Sequence, residues 1–242
     1  MKAFVVILLA LAFGLTGCKK PDDPANTGND NNQNDSIIGA DSLVSHGFVD
    51  LGLPSGTLWA VCNVGAATPE DFGDYFSWGE TSTKEIYSWN TYQYGDFVDE
   101  HFELTKYCSD PSCGLHGFVD TLTVVEPVDD AARANWGSDW RMPTKEEWNE
   151  LYRKTTCAGT TQHGVYGWLF TGRNGNSIFL PAAGFRLNGE LICTGLGVYW
   201  SSSLHTEFLD RGWSLHFDAD NCHVCGTYER SRGQVIRAVI AK

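Results

Sequence analysis

Aromatic side chains and small residues alternate along this chain, as in Tyr75-Phe76-Ser77-Trp78-Gly79, Tyr87-Ser88-Trp89 and Trp136-Gly137-Ser138-Asp139-Trp140. Glycine weakens a helix interior, so this texture favours short elements joined by turns over long helices. Nine tryptophans among 242 residues must then be accommodated in a domain with little regular structure. Two readings follow. Indole faces stack on sugars and could form a carbohydrate platform. Alternatively the rings fill the core and pack the loops, and this is favoured because tryptophans are mostly buried.

The elements that can be read are short. Phe48-Val49-Asp50-Leu51-Gly52-Leu53, the turn signal Pro54-Ser55-Gly56 and a strand over Thr57 to Val64 predict an N-terminal hairpin. Residues 65–127 show no sustained periodicity and predict loops with short strands. Asp129 to Ala134 reads as a short helix with acids in its first turn, where the helix dipole favours them. Thr144 and Glu147 form a capping box for a second helix over Lys145 to Lys154. Its buried stripe is Trp148, Leu151 and Tyr152. From Ser177 onward short strands return: Ser177 to Leu180, Val198 to Ser201, and Trp213 to Phe217 with Trp213, Leu215 and Phe217 on one face. Gln234 to Ile240 closes the chain as a core strand. Strands at both ends with helices between them predict an α+β domain.

The first residues are of another kind. Lys2 precedes the apolar stretch Ala3 to Leu15, too short to span a bilayer and suited to a signal-peptide core. Leu15-Thr16-Gly17-Cys18 resembles a bacterial lipobox, which makes 1–17 a lipoprotein signal peptide and Cys18 the lipidated first residue. No later stretch is long and apolar enough to span, so the protein is expected to be lipid-anchored. Residues 19–36 carry no apolar side chain except Ala25, and 18–45 is expected to be a flexible tether. Residues 46–242 then form a single domain. Asp22 and Asp23, after Lys19 and Lys20, resemble surface-export signals of Bacteroidetes lipoproteins. The expected place is the cell envelope, as a surface-exposed outer-membrane lipoprotein, with a periplasmic inner-leaflet location as the alternative.

The net charge is −13, and about −14 once Lys2 leaves with the leader. Such a chain is a poor partner for nucleic acid or anionic lipid through its polypeptide. Of eight cysteines, Cys18 goes to lipid. Cys62, Cys108, Cys113, Cys157, Cys193, Cys222 and Cys225 remain, an odd number, so at least one is free or pairs between chains. Cys108 and Cys113, and Cys222 and Cys225, are candidate disulfides in an oxidising compartment. The competing reading makes those four a zinc site, with His223 as a further ligand.

Four blocks carry a family resemblance: Val49 to Ala60, Trp136 to Thr144, Asn176 to Gly184, and Tyr199-Trp200-Ser201-Ser202-Ser203. With the closing Val235-Ile236-Arg237, their order and spacing resemble the Fibrobacter succinogenes major paralogous domain over about residues 47–240. That family is abundant in Bacteroidetes lipoproteins. The resemblance implies a C-type-lectin-like fold: two helices packed on antiparallel sheet, N- and C-terminal strands paired, and long irregular loops. It brings no established activity. The motif residues read as scaffold, with Arg141 and Asp139 pairing before the second helix and Pro143 marking its entry.

Function is then expected in the loops Arg186–Gly197, His205–Gly212 and Asp218–Arg232, as a non-catalytic binding module for a glycan or protein. The candidate ligand residues are Arg186, Trp200, His205, Arg211, Asp218, Asp220 and Tyr228. Glu126-Pro127-Val128 and Trp148-Asn149-Glu150 depart from the calcium-lectin triplets and sit in the wrong places, so no metal or cofactor is expected. A structural or accessory envelope lipoprotein is the alternative. An enzyme of the formylglycine-generating type, using a copper-binding cysteine pair, is a further one. Oligomeric state is not legible.

Overall fold

The computed structural model describes residues 46–240, the Cys225 side chain excepted. The leader 1–17 and the tether 18–45, with Cys18, lie outside the described residues. The described part is a mixed α+β arrangement in which every strand ladder is antiparallel. No described helix is long and apolar enough to cross a membrane.

The chain opens with the expected hairpin of Phe48–Asp50 (β1) and Leu58–Ala60 (β2), Phe48 facing Ala60. Gly56 N donates to Leu53 O at 2.9 Å across the turn, and Gly56 takes a φ of 75°, which costs glycine little. Turns dominate up to residue 130, with one small hairpin of Gly95–Val98 (β3) and His101–Leu104 (β4).

The first helix, Ala131–Trp136 (α1), starts two residues later than Asp129. Asp130 is its cap and accepts from Arg133 N at 3.1 Å. The second, Lys145–Lys154 (α2), has the expected bounds and capping box: Glu147 N donates to Thr144 Oγ1 at 3.2 Å, and Thr144 N to Glu147 Oε2 at 2.8 Å. The expected Arg141–Asp139 pair is not made. Arg141 instead donates to both carboxylate oxygens of Glu147, at 2.7 and 2.6 Å, because the cap already holds that carboxylate within its reach. Trp148 and Leu151 are buried, whereas Tyr152, at the edge of the stripe, is 38% exposed.

Thr156–Gln162 (β5), Val165–Thr171 (β6) and Ser177–Pro181 (β7) form a meander. Phe185–Leu187 (β8) and Glu190–Ile192 (β9) form a small hairpin. Gly197–Leu204 (β10), Arg211–Phe217 (β11) and Cys222–Glu229 (β12) make a second three-stranded sheet, against which α2 packs. Val239–Ile240 (β13) pairs with the free edge of β2, so both ends of the domain share one sheet. The expected closing strand is shorter than predicted. Gln234 bridges to Phe76, Val235 to Tyr199 and Val239 to Arg141. Residues 234–239 are fully buried and satisfy their backbone groups with several elements in turn.

Two cores result. The first joins Trp59, Trp148, Trp168, Phe170, Tyr199, Leu215 and Phe217 between the sheets and α2. The second joins Trp78, Leu104, Tyr107, Trp140, Met142, Trp200 and Ile236 among the loops. Trp59, Trp78, Trp140, Trp148, Trp168 and Trp200 are buried. The other three are half-buried and covered. Trp89 packs on Phe102, 4.9 Å between centroids, and Trp136 stacks on His46 at 4.0 Å. Trp213 stacks on the His205 ring at 4.4 Å and has Lys145 Nζ 3.1 Å from its ring centroid. The indoles pack core and loops.

Candidate functional site

The three expected ligand loops are more regular than the sequence suggests. Arg186–Gly197 contains the β8–β9 hairpin, and Asp218–Arg232 is mostly β12, held by pairing with β11. The short link from His205 to Gly212 is tied by His205 Nδ1, which accepts from Glu207 N at 3.2 Å and Phe208 N at 3.0 Å.

The seven candidate residues do not converge. Trp200 is fully buried, with Nε1 donating to Phe76 O at 2.8 Å, and cannot touch a ligand. His205 is 8% exposed, and burial lowers its pKa. Arg211, half-buried, sits 5.7 Å from the Phe208 ring, beside Asp210. Arg186, also half-buried, has its guanidinium 5.1 Å from the Tyr75 ring. Asp218 folds the β11–β12 turn by accepting from Asp220 N and Asn221 N, both at 2.8 Å, which hold its carboxyl below the usual range. Asp220 is exposed.

Tyr228 is the candidate with the most suggestive surroundings. Its ring lies 5.7 Å from Phe185, and the Arg232 guanidinium covers both rings at 5.7 and 5.2 Å. Its hydroxyl meets His216 Nδ1 at 3.0 Å. His216 in turn stacks on His223, centroids 4.8 Å apart and planes 19° from parallel. These two face each other directly across β11 and β12. Burial, then the neighbouring imidazole, lowers the pKa of His216 and favours its neutral form at pH 7. Tyr228, His216, His223 and Arg232 are all half-exposed, forming a polar and aromatic face carried on β11 and β12, with Arg232 in the bend just after β12. Seven histidines scattered along the chain gave no signal of this. The pair exists only through strand register.

The placement of the cysteines bears on the disulfide and zinc readings. Cys222 and Cys225 lie three residues apart in one strand, a span of about 10 Å, whereas a disulfide needs Cα atoms within about 7 Å. Cys222 is instead buried in the first core, where Cys157 also packs. Burial, with Cys157 nearby, pushes its thiol up to about 12. Cys108 is buried in the second core, 3.1 Å from Asp110 O, and Cys113 packs against that same core. Neither sulfur is bonded. The four-thiol zinc reading would require Cys108 and Cys222 to leave separate cores. No group of three or more His, Cys, Asp or Glu converges among the described residues.

Two cavities among the described residues are small. One of about 130 Å³ lies between Val49, Leu169 and Phe179, and one of about 150 Å³ between His46, Cys62 and Trp136. Pockets that enclose a drug-sized molecule hold roughly 300 Å³ or more. Comparison with family models, with characterised proteins and with solved structures gives no match to this chain.

Proposed function

We propose that the chain is a non-catalytic binding module of C-type-lectin-like fold and a member of the Fibrobacter succinogenes major paralogous domain family. It is tied to the outer membrane through lipid on Cys18, displayed at the cell surface, and takes a glycan or protein ligand. Antiparallel sheets, two short helices, a long irregular stretch before α1 and terminal strands that share one sheet support that fold. The observation that carries the binding reading is the half-exposed face of Tyr228, His216, His223 and Arg232. Three of these groups sit on paired strands and Arg232 is held by Glu229 at 2.9 Å, so they keep their geometry at little entropic cost on association. The small cavities suit contact across a surface, and the covered indoles favour a protein over a sugar-stacking platform.

The test is a screen of the full chain against glycan arrays and envelope proteins, repeated with Arg232→Ala. We expect saturable binding to a protein that weakens at least tenfold in the variant. Absence of any partner in either screen, or a partner indifferent to Arg232→Ala, would sink the assignment of this face.

A further inference from the structure

We propose that His216 and His223 form a two-histidine site for a divalent transition metal, with copper(II) preferred. The two residues are directly opposed on antiparallel strands. Opposed residues hold their Cβ atoms about 4.5–5.5 Å apart. Here the rings also run nearly parallel, centroids 4.8 Å apart and planes 19° from each other. Metal–imidazole bonds are about 2.0–2.1 Å. Two such bonds at a right angle place the nitrogens about 3 Å apart, closer than the ring centroids now stand, so both side chains must turn to bring their Nε2 atoms onto one ion.

The surroundings fit. His216 Nδ1 is engaged by the Tyr228 hydroxyl at 3.0 Å, which leaves Nε2 as the atom for metal. An outer partner on the second ring nitrogen is the usual way a ligand imidazole is oriented. Both side chains are half-exposed, so an ion can reach them. Asp218 stands two residues from His216, and its carboxylate feels both imidazoles. No third His, Cys, Asp or Glu converges with the pair among the described residues. The other coordination positions therefore fall to water or to a donor from outside the chain. Imidazole nitrogen suits copper, nickel and zinc, whereas calcium and magnesium want oxygen. The site uses two residues of the face proposed above, but it rests on their strand register and ring geometry and not on the ligand proposed there.

The experiment uses the full chain, reduced and with its accessible thiols alkylated by iodoacetamide so that exposed cysteine cannot compete. Copper(II), nickel(II), zinc(II) and calcium chlorides are titrated by calorimetry. We expect one copper ion per chain, weaker nickel and zinc binding, and no calcium response. His216→Asn and His223→Asn should each weaken copper binding by at least about tenfold, and the copper EPR spectrum of the parent should show two coupled nitrogens. Copper affinity within twofold of the parent in both variants overturns the proposal, as does the absence of saturable binding. Should either variant fail to fold, the parent spectrum decides: coupling to fewer than two nitrogens overturns the site.

Discussion

Arg237 and Arg230 are both fully buried, yet the two cores hold them differently. Arg237 lies where β2, β7 and the closing segment meet. It donates to Asn63 Oδ1 at 2.9 Å, Ala60 O at 3.1 Å, Val61 O at 2.7 Å and Phe179 O at 2.8 Å. Arg230 lies among the loops. Only its Nη1 donates, to Lys106 O at 3.2 Å and Tyr107 O at 3.4 Å. Its Nε and Nη2 have no hydrogen-bond partner within the protein, and the cation sits 5.7 Å from the Trp78 ring and 5.4 Å from the Tyr92 ring. Short strands that end inside the molecule leave carbonyls unpaired, and an arginine gathers them. Loops packed by aromatic residues offer ring faces, and the cation settles on those. The carboxylates differ in parallel. Glu147 serves a helix cap, one arginine and the Thr57 hydroxyl, whereas Asp129 gathers Tyr94 from one turn and the adjacent Lys106 and Tyr107 side chains from another.

The contrast can be broken most sharply at Arg237. Arg237→Met strands several buried carbonyls and should cost about 3–5 kcal/mol in urea unfolding. Asp129→Asn should cost about 2 kcal/mol, since a neutral amide cannot match three donors, one of them Lys106. Arg230→Met keeps an apolar contact for the two rings and should cost only about 1–2 kcal/mol. Equal losses at Arg237 and Arg230 would erase the distinction.

Acid should remove both carboxylate anchors. Burial alone would raise Asp129 and Glu147, but hydrogen bonds from Lys106, Tyr107 and Tyr94, and from Arg141 and Thr144 respectively, outweigh it and hold both below their usual range. A depressed carboxyl contributes stability that is complete above the unfolded pKa near 4 and fades as pH falls through the folded value. Unfolding free energy measured from pH 5 to pH 2 should therefore decline below about pH 4, and less steeply in Asp129→Asn. The smallest effect is kinetic. In the reduced protein Cys193, which is exposed, should alkylate at once, while Cys222 and Cys108 wait for opening. Cys108 among the loops should label before Cys222 between the sheets. The reverse order would mean that the aromatic core is the more rigid of the two.

Local chemistry was legible in the sequence. The bounds of α2 could be read because Thr144, Glu147 and the Trp148–Leu151 spacing all lie within one short stretch. β5 was not, because Thr156-Cys157-Ala158-Gly159-Thr160-Thr161-Gln162 has no apolar alternation and becomes a strand only by pairing with β6. The closing segment was legible as core but not as a path, since its partners are fixed by tertiary contacts. The candidate site was the least legible part. Trp200 reads as part of the strand Val198 to Ser201 and as a ligand candidate, yet Trp148 Nε1 donates to its carbonyl and its own ring fills the second core. The His216–His223 pair depends on a register shift between Ser214 and His216 that no composition reveals.

The small sheet in which β1 and β13 flank β2 has a further consequence. Phe48 lies opposite Ala60 and Ile240 opposite Leu58. At ordinary strand spacing this places entry to and exit from the domain within about 12 Å of each other. A unit with neighbouring ends can be spliced into a surface turn of another protein, or strung in series, without disturbing either partner. The fold is thus built as a cassette, and tandem or inserted copies of it should each unfold as they do alone.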